Sequence, residues 1–382
     1  MKNAERIFGL WLFWGLAFAA DQTPTPAPKE PDRSAPTKLS EAVAPLKAGQ
    51  WVAFEGPPKA IGYYGISWQA ATAFGDAQNR EFHFMAKMQG GGAASHWIYA
   101  ETTHTWRSTM ENLSISLKGH ALPGHIWCRS FDPTTGDYYY MDATMSSNFV
   151  RYMRRSVEAG QGSKNSPWTT TSKPEFTARF GHHEEIGYHP NLFGPGDGGL
   201  VLCGGSRLSV WRKKTDTWEI LMDKCLGDYR MQAGGGQYLP GFDRLILGGY
   251  GKKFMLVDAG KDGKVATEKP KIEEAPIRVF GGTSGHLKNE PWGKLIVHPN
   301  DDKRLMILGP MPDYKVWTNA KGGTAEGWVE EAYTHPFTTE NVPMTGGDWG
   351  AWTCGTVSTR GVLWAMAYDG KTSKSILWKP NN

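Results

Sequence analysis

The chain has 382 residues, of which 42 are basic and 38 acidic, leaving a net charge of +4 with only 21% of residues charged. Its densest basic group is Arg151, Arg154 and Arg155, so there is no electrostatic case for nucleic acid. The 47 glycines and 17 tryptophans suit many short strands with aromatic layers between sheets, not a helical fold.

Residues 1–19 read as a signal peptide. Lys2 and Arg6 precede an apolar run from Ile7 to Ala20, and Ala17-Phe18-Ala19 supplies a small-x-small cleavage pattern. The run is about 14 residues, short of the roughly 20 that a spanning helix needs. The mature chain is therefore expected to be secreted or periplasmic, with no membrane span. Residues 20–48 carry Pro24, Pro26, Pro28, Pro31 and Pro36 among Thr, Ala, Lys and Glu. They are expected to form an extended linker that could tether the domain to an envelope surface. Residues 49–382 are then the folded domain.

A unit of two apolar strands around a tight turn recurs six times. It reads Ser67–Phe74 with Glu81–Met88, His125–Phe131 with Asp137–Asp142, and Tyr188–Phe193 with Gly199–Gly204. It returns as Gly235–Leu239 with Arg244–Gly249, Lys294–His298 with Arg304–Gly309, and Ala351–Val357 with Gly361–Ala367. Turns such as Asp132-Pro133-Thr134-Thr135-Gly136 supply the required dihedrals. A third strand follows each pair, and in most copies a fourth opens with tryptophan: Trp106, Trp168, Trp218 and Trp328. The sixth copy runs out of chain before its fourth strand, while Gln50–Phe54, with Trp51, stands ahead of the first copy. An N-terminal strand that completes the last blade would close a ring and remove exposed edges. The expected fold is all-β: a six-bladed β-propeller of four-stranded blades, the last closed by the N-terminal strand.

In detail the repeats resemble the kelch propellers. Gly204-Gly205 is followed by Trp211 and then Trp218, and Gly90-Gly91 by Tyr99 and then Trp106, each spaced by seven. Gly248-Gly249 leads to Phe254 without a tryptophan, and Asp142-Ala143, Gly309-Pro310 and Ala365-Met366 replace the glycine pair elsewhere. Copy five instead resembles a degraded Asp-box, from Asn319 through Gly322, Gly323 and Thr324 to Trp328. The resemblance implies a fold and a usual ligand face, formed by the loops that enter the inner strands. It implies no single activity.

Those loops hold the candidate site. The ligand-binding candidates are Tyr64, His125, Arg179, His182, His183, Tyr188, Tyr229, Arg230, His286 and Trp349, the densest run being Arg179–His189. Histidine titrates near neutrality, and arginine grips a carboxylate in bidentate fashion. No ligand set at metal spacing appears in this run, so neither metal nor cofactor is expected. His83, His298 and His335 read as structural, and Trp51, Trp106, Trp168, Trp218 and Trp328 as packing between blades. Cys203 and Cys225 belong to one blade and could pair, whereas Cys128 and Cys354 lie on inner strands of non-adjacent blades and read as buried thiols. The function expected is binding of an extracytoplasmic polymer, carbohydrate first, or of a protein ligand, acidic in either case. The alternative is a secreted polysaccharide lyase built on the His/Arg/Tyr loop, or a glycoside hydrolase using Glu184, Glu185 and Asp348. The sequence leaves open whether the protein is an enzyme.

Overall fold

Each recurring pair of strands becomes the inner half of one sheet. The computed structural model describes residues 35–57, 72–87, 94–108, 129–144, 147–153, 168–172, 185–204, 207–222, 234–248, 252–266, 271–280, 293–309, 313–338, 340–341, 352–368 and 373–382. Their strands form six sheets in chain order. Sheet one holds Thr72–Asp76, Glu81–Lys87, Ala94–Ala100 and Thr105–Ser108; sheet two holds Arg129–Phe131, Tyr138–Thr144, Ser147–Met153 and Trp168–Thr170. Sheet three holds Glu185–His189, Gly199–Gly204, Arg207–Arg212 and Thr217–Met222; sheet four holds Gln237–Leu239, Arg244–Gly248, Lys253–Asp258 and Lys271–Glu274. Sheet five holds Gly293–Val297, Leu305–Leu308, Lys315–Asn319 and Trp328–Thr334. Sheet six holds Trp352–Val357, Val362–Tyr368 and Ser373–Trp378, and its outer edge is Trp51–Ala53. The pairing there is antiparallel, with Trp51 opposite Trp378, Val52 opposite Leu377 and Ala53 opposite Ile376.

Consecutive sheets pack face to face around a ring. Phe74 stacks on Phe131 and His96 on Tyr138 between sheets one and two. Tyr139 stacks on Tyr188 between two and three, with centroids 5.1 Å apart. Val201 packs with Leu245 and Leu247, Ile246 with Leu305 and Ile307, and Met306 with Leu363 and Trp378. The ring returns to its start where Phe82 stacks on Trp364 at 4.5 Å. This is an all-β propeller. A middle strand covered on both sides needs an apolar residue at every position: Leu305–Leu308 is buried throughout, whereas no residue of the outermost strand Thr217–Met222 is fully buried. Inner strands crowd the axis, and a Cβ on Gly75 would sit 1.9 Å from the Thr356 carbonyl oxygen.

Three details differ from the sequence reading. Sheets three and five have five strands, not four. Gly234–Gly235 and Val279–Phe280 each add in parallel to an inner strand as the chain passes inward. The expected linker, residues 20–48, ends early: Lys38–Val43 is a helix, capped by Thr37 and Ser40 in a reciprocal capping box. Leu39, Val43 and Leu46 follow helical spacing and are buried against Phe82, Trp364 and Leu377. The folded region thus includes residues 36–48, whose flanking prolines concealed a short amphipathic stretch. Trp51, expected in packing, is 42% exposed because it sits on the outermost strand, covered on one side. Trp106 and Trp328 do pack against the core clusters.

Candidate functional site

The inner strands and their first-to-second-strand turns surround a cavity of about 660 Å³. Sheets one, two, four, five and six contribute to its lining, and Pro133, Pro240, Pro299 and Ser358, all in first-to-second-strand turns, form its rim. Backbone must come close here. At Gly236 the chain crosses from sheet three to sheet four, its N–H donating to the Ile186 carbonyl at 2.8 Å. A Cβ at that position would lie 2.9 Å from the Gly187 Cα.

Lys294 is the notable side chain of the lining. It interrupts the apolar run of Gly293–Val297, is only 2% exposed, and donates from Nζ to Thr353 Oγ1 at 3.0 Å. A buried ammonium is costly unless polar partners reach it. Beside it, burial pushes the Cys354 thiol up to about 12, with the Lys294 charge counteracting only in part. Cys354 is therefore a protonated, inert thiol and not a nucleophile. The Tyr238 hydroxyl donates to Asp243 Oδ1 at 2.6 Å and is held protonated by burial and by that carboxylate. Asp301 and Asp302 stand at the rim.

Histidines near the turns serve the backbone. His298 Nε2 donates to the Asn381 carbonyl at 2.9 Å, while Nδ1 accepts from the Asn300 amide at 3.2 Å. His189 repeats this with the Asp243 carbonyl and the Asn191 amide, and His335 with Gly309 and Phe337. Burial lowers the pKa of all three, that of His335 to about 4. Each is a neutral clasp between neighbouring segments, and in each case a proline follows.

The sequence-derived candidates meet the structure at one position. Tyr64, His125, Arg179, His182, His183, Tyr229, Arg230, His286 and Trp349 lie outside the described residues. Tyr188 is described and is a core residue, not a ligand-facing one. It is 3% exposed, stacked on Tyr139, with Lys213 Nζ 5.5 Å above its ring. Burial and the nearby Asp132 raise its pKa. The periodicity explains this: Ile186 and Tyr188 alternate with Gly187 on a strand sandwiched between sheets, so a large side chain there is enclosed. Cys203 is buried and Cys225 lies outside the described residues. Sequence reasoning missed Lys294, although a lysine inside an otherwise apolar inner strand was a readable signal.

No family model matches the chain, and no curated protein matches it. Solved structures resemble the chain at low identity and low structural similarity. An auxiliary nutrient binding protein from Bacteroides ovatus is 13% identical, covering 85% of this chain and 76% of that one, with a TM-score of 0.47. A chain of a mitotic checkpoint complex is 9% identical over 99% of this chain and 100% of its own, also at 0.47. A chain of a nidogen/laminin complex is 12% identical over 81% and 94%, at 0.39. At such identities and scores the likeness carries no function. Among the described residues no helix is long and apolar enough to cross a membrane.

Proposed function

We propose that the protein is an exported, six-bladed, kelch-like β-propeller that binds an acidic ligand in its inner-strand cavity, a carbohydrate polymer first and a protein second. The blade count rests on six sheets in a ring. The kelch reading rests on Trp211 opposite Trp218 and Tyr99 opposite Trp106. The observation that carries the ligand is Lys294, a buried amine in a cavity of about 660 Å³. Cavities of this size suit a sugar ring or a short side chain, and a charge-assisted hydrogen bond contributes roughly 1.5–3 kcal/mol. A glycan array followed by calorimetry tests this. Lys294→Met is expected to weaken binding of an acidic hit at least tenfold, about 1.4 kcal/mol, while the protein still unfolds cooperatively. Unchanged affinity would remove the cavity as the ligand site.

On our reading Tyr64, His125, Arg179, His182, His183, Tyr229, Arg230, His286 and Trp349 contribute a second contact surface. Arg179 supplies permanent charge there, and the histidines add charge as pH falls toward roughly 6.5. Binding at that surface should strengthen from pH 8 to pH 6 and weaken with salt. Arg179→Ala should cost more than the roughly 0.5 kcal/mol of a neutral surface change. Titrations at the two pH values read this directly, and indifference to pH, salt and Arg179 would eliminate the surface.

A further inference from the structure

Charge seals the seams between sheets on the turn side. Between sheets two and three, Lys213 Nζ lies 2.8 Å from Asp132 Oδ2 and 2.7 Å from Asp137 Oδ2. In sheet one, Asp76 and Glu81 hold the positions that Asp132 and Asp137 hold in sheet two, flanking the same first turn, and His83 stands where Tyr139 does. Asp76, Glu81 and His83 are 1%, 8% and 0% exposed, and each offers one ligand atom within 4.8 Å of the others. His83 Nε2 is aimed between the two carboxylates, 3.6 Å from Glu81 Oε2 and 4.0 Å from Asp76 Oδ2, and makes no hydrogen bond. A buried ring nitrogen left without a partner is destabilising unless something outside the chain satisfies it.

We propose that Asp76, Glu81 and His83 bind a divalent cation of the zinc class, which clamps the first hairpin of sheet one beside its seam with sheet two. Three ligands about 2.1 Å from a tetrahedral zinc stand roughly 3.4 Å apart, so the cluster closes on an ion with small movements. One imidazole and two carboxylates suit zinc or manganese better than an all-oxygen cation such as calcium. The surroundings orient each ligand, as metal sites require. His83 Nδ1 lies 3.1 Å from His96 Nε2, so the tautomer of His83 with its proton on Nδ1 has an acceptor there and leaves Nε2 for the metal. His96 in turn stacks on Tyr138 of sheet two at 4.7 Å. Asn79 donates to Asp76 from its amide N–H at 3.0 Å and from Nδ2 at 2.6 Å. Arg107 Nη1 holds the other oxygen of Glu81 at 2.9 Å.

The test uses the purified full chain after chelation. Calorimetry with Zn²⁺ should show one saturable equivalent, Co²⁺ should give visible d–d absorption, and the melting temperature should rise by several degrees in excess Zn²⁺. His83→Gln and Asp76→Asn should each weaken binding at least a hundredfold. His104→Gln, which alters an imidazole paired with Glu55 at the surface, should bind as wild type does. If His83→Gln fails to fold, Asp76→Asn carries the comparison. Absence of a saturable equivalent in folded wild type, or wild-type affinity in the Asp76→Asn or His83→Gln protein, would overturn the assignment and leave the carboxylates to a basic side chain of the chain itself.

Discussion

A chain beginning at residue 56 is expected to lose cooperative unfolding altogether, whereas one beginning at residue 35 should melt with the full-length protein. The difference lies in what residues 36–54 cover. Trp51–Ala53 pairs with Ser373–Trp378, and the ladder is extended by Gly49 N–H to the Lys379 carbonyl at 2.7 Å, Lys379 N–H to Gln50 at 3.0 Å and Phe54 N–H to Ser375 at 3.0 Å. Without it the last strand presents an open edge, a template for aggregation. Phe54 also meets Trp364 edge-on at 5.2 Å. Leu39, Val43 and Leu46 cover the same cluster, each worth at most about 1.5–3 kcal/mol of burial. Against a typical net stability of roughly 5–15 kcal/mol, losing both layers leaves no folded margin. Intermediate variants separate them. Starting at residue 47 removes the helix but keeps the strand and should lower the melting temperature without abolishing the transition; Leu39→Ala alone should cost about 2–4 kcal/mol. Circular dichroism melts with size-exclusion profiles read all four proteins. The closure argument is falsified if the chain starting at residue 56 melts as the full-length protein does.

The propeller was legible because its repeat is written twice, in turn chemistry and in apolar runs. Asp132-Pro133-Thr134-Thr135-Gly136 marks a turn whatever surrounds it, and Asp132 caps that turn through Thr134 and Thr135 in the structure. The strand at Trp51 could be assigned to the last sheet by simple want of a fourth strand there. Burial was harder to read. Tyr188 looked like a loop residue because it follows a polar run, but the pleat turns its ring into the seam against Tyr139. Leu39, Val43 and Leu46 span too few turns to stand out among prolines, and their environment is made by Phe82 and Trp364, distant in sequence. The Asp76–Glu81–His83 cluster shares that difficulty: its members are ordinary residues of a turn and an apolar strand until the pairing of the hairpin sets His83 Nε2 beside both carboxylates.

Replacing Glu101 by Ala should be among the most damaging single changes, costing about 3–5 kcal/mol. Glu101 is 2% exposed at the junction of sheets six and one, where the N-terminal segment comes in. Arg80 donates to it from Nη2 at 2.9 Å, Arg360 from Nε at 2.7 Å, and the helix-capping Thr37 from Oγ1 at 2.8 Å. Sheet one, sheet six and the helix thus meet on one carboxylate. Burial alone would push its pKa up, but the hydrogen bonds from Arg80, Thr37 and Arg360 and the charge of Arg360 hold it below the ordinary range. The sign of the pH effect follows. In acid the unfolded chain takes up a proton on this residue before the folded chain does, so stability rises with pH across that window. The contribution is complete above the unfolded value of roughly 4.3 and is lost as pH falls through the lower folded value. Wild type should therefore lose melting temperature below about pH 4.5 more steeply than Glu101→Gln, which has no such proton to take up. At neutral pH the Gln variant should already be less stable, because a neutral amide cannot balance two guanidiniums. A cycle of Glu101→Gln with Arg360→Ala, melted at both pH values, apportions the effect. Strict additivity of the two changes at pH 7 would show that the carboxylate does not couple the sixth sheet to the first.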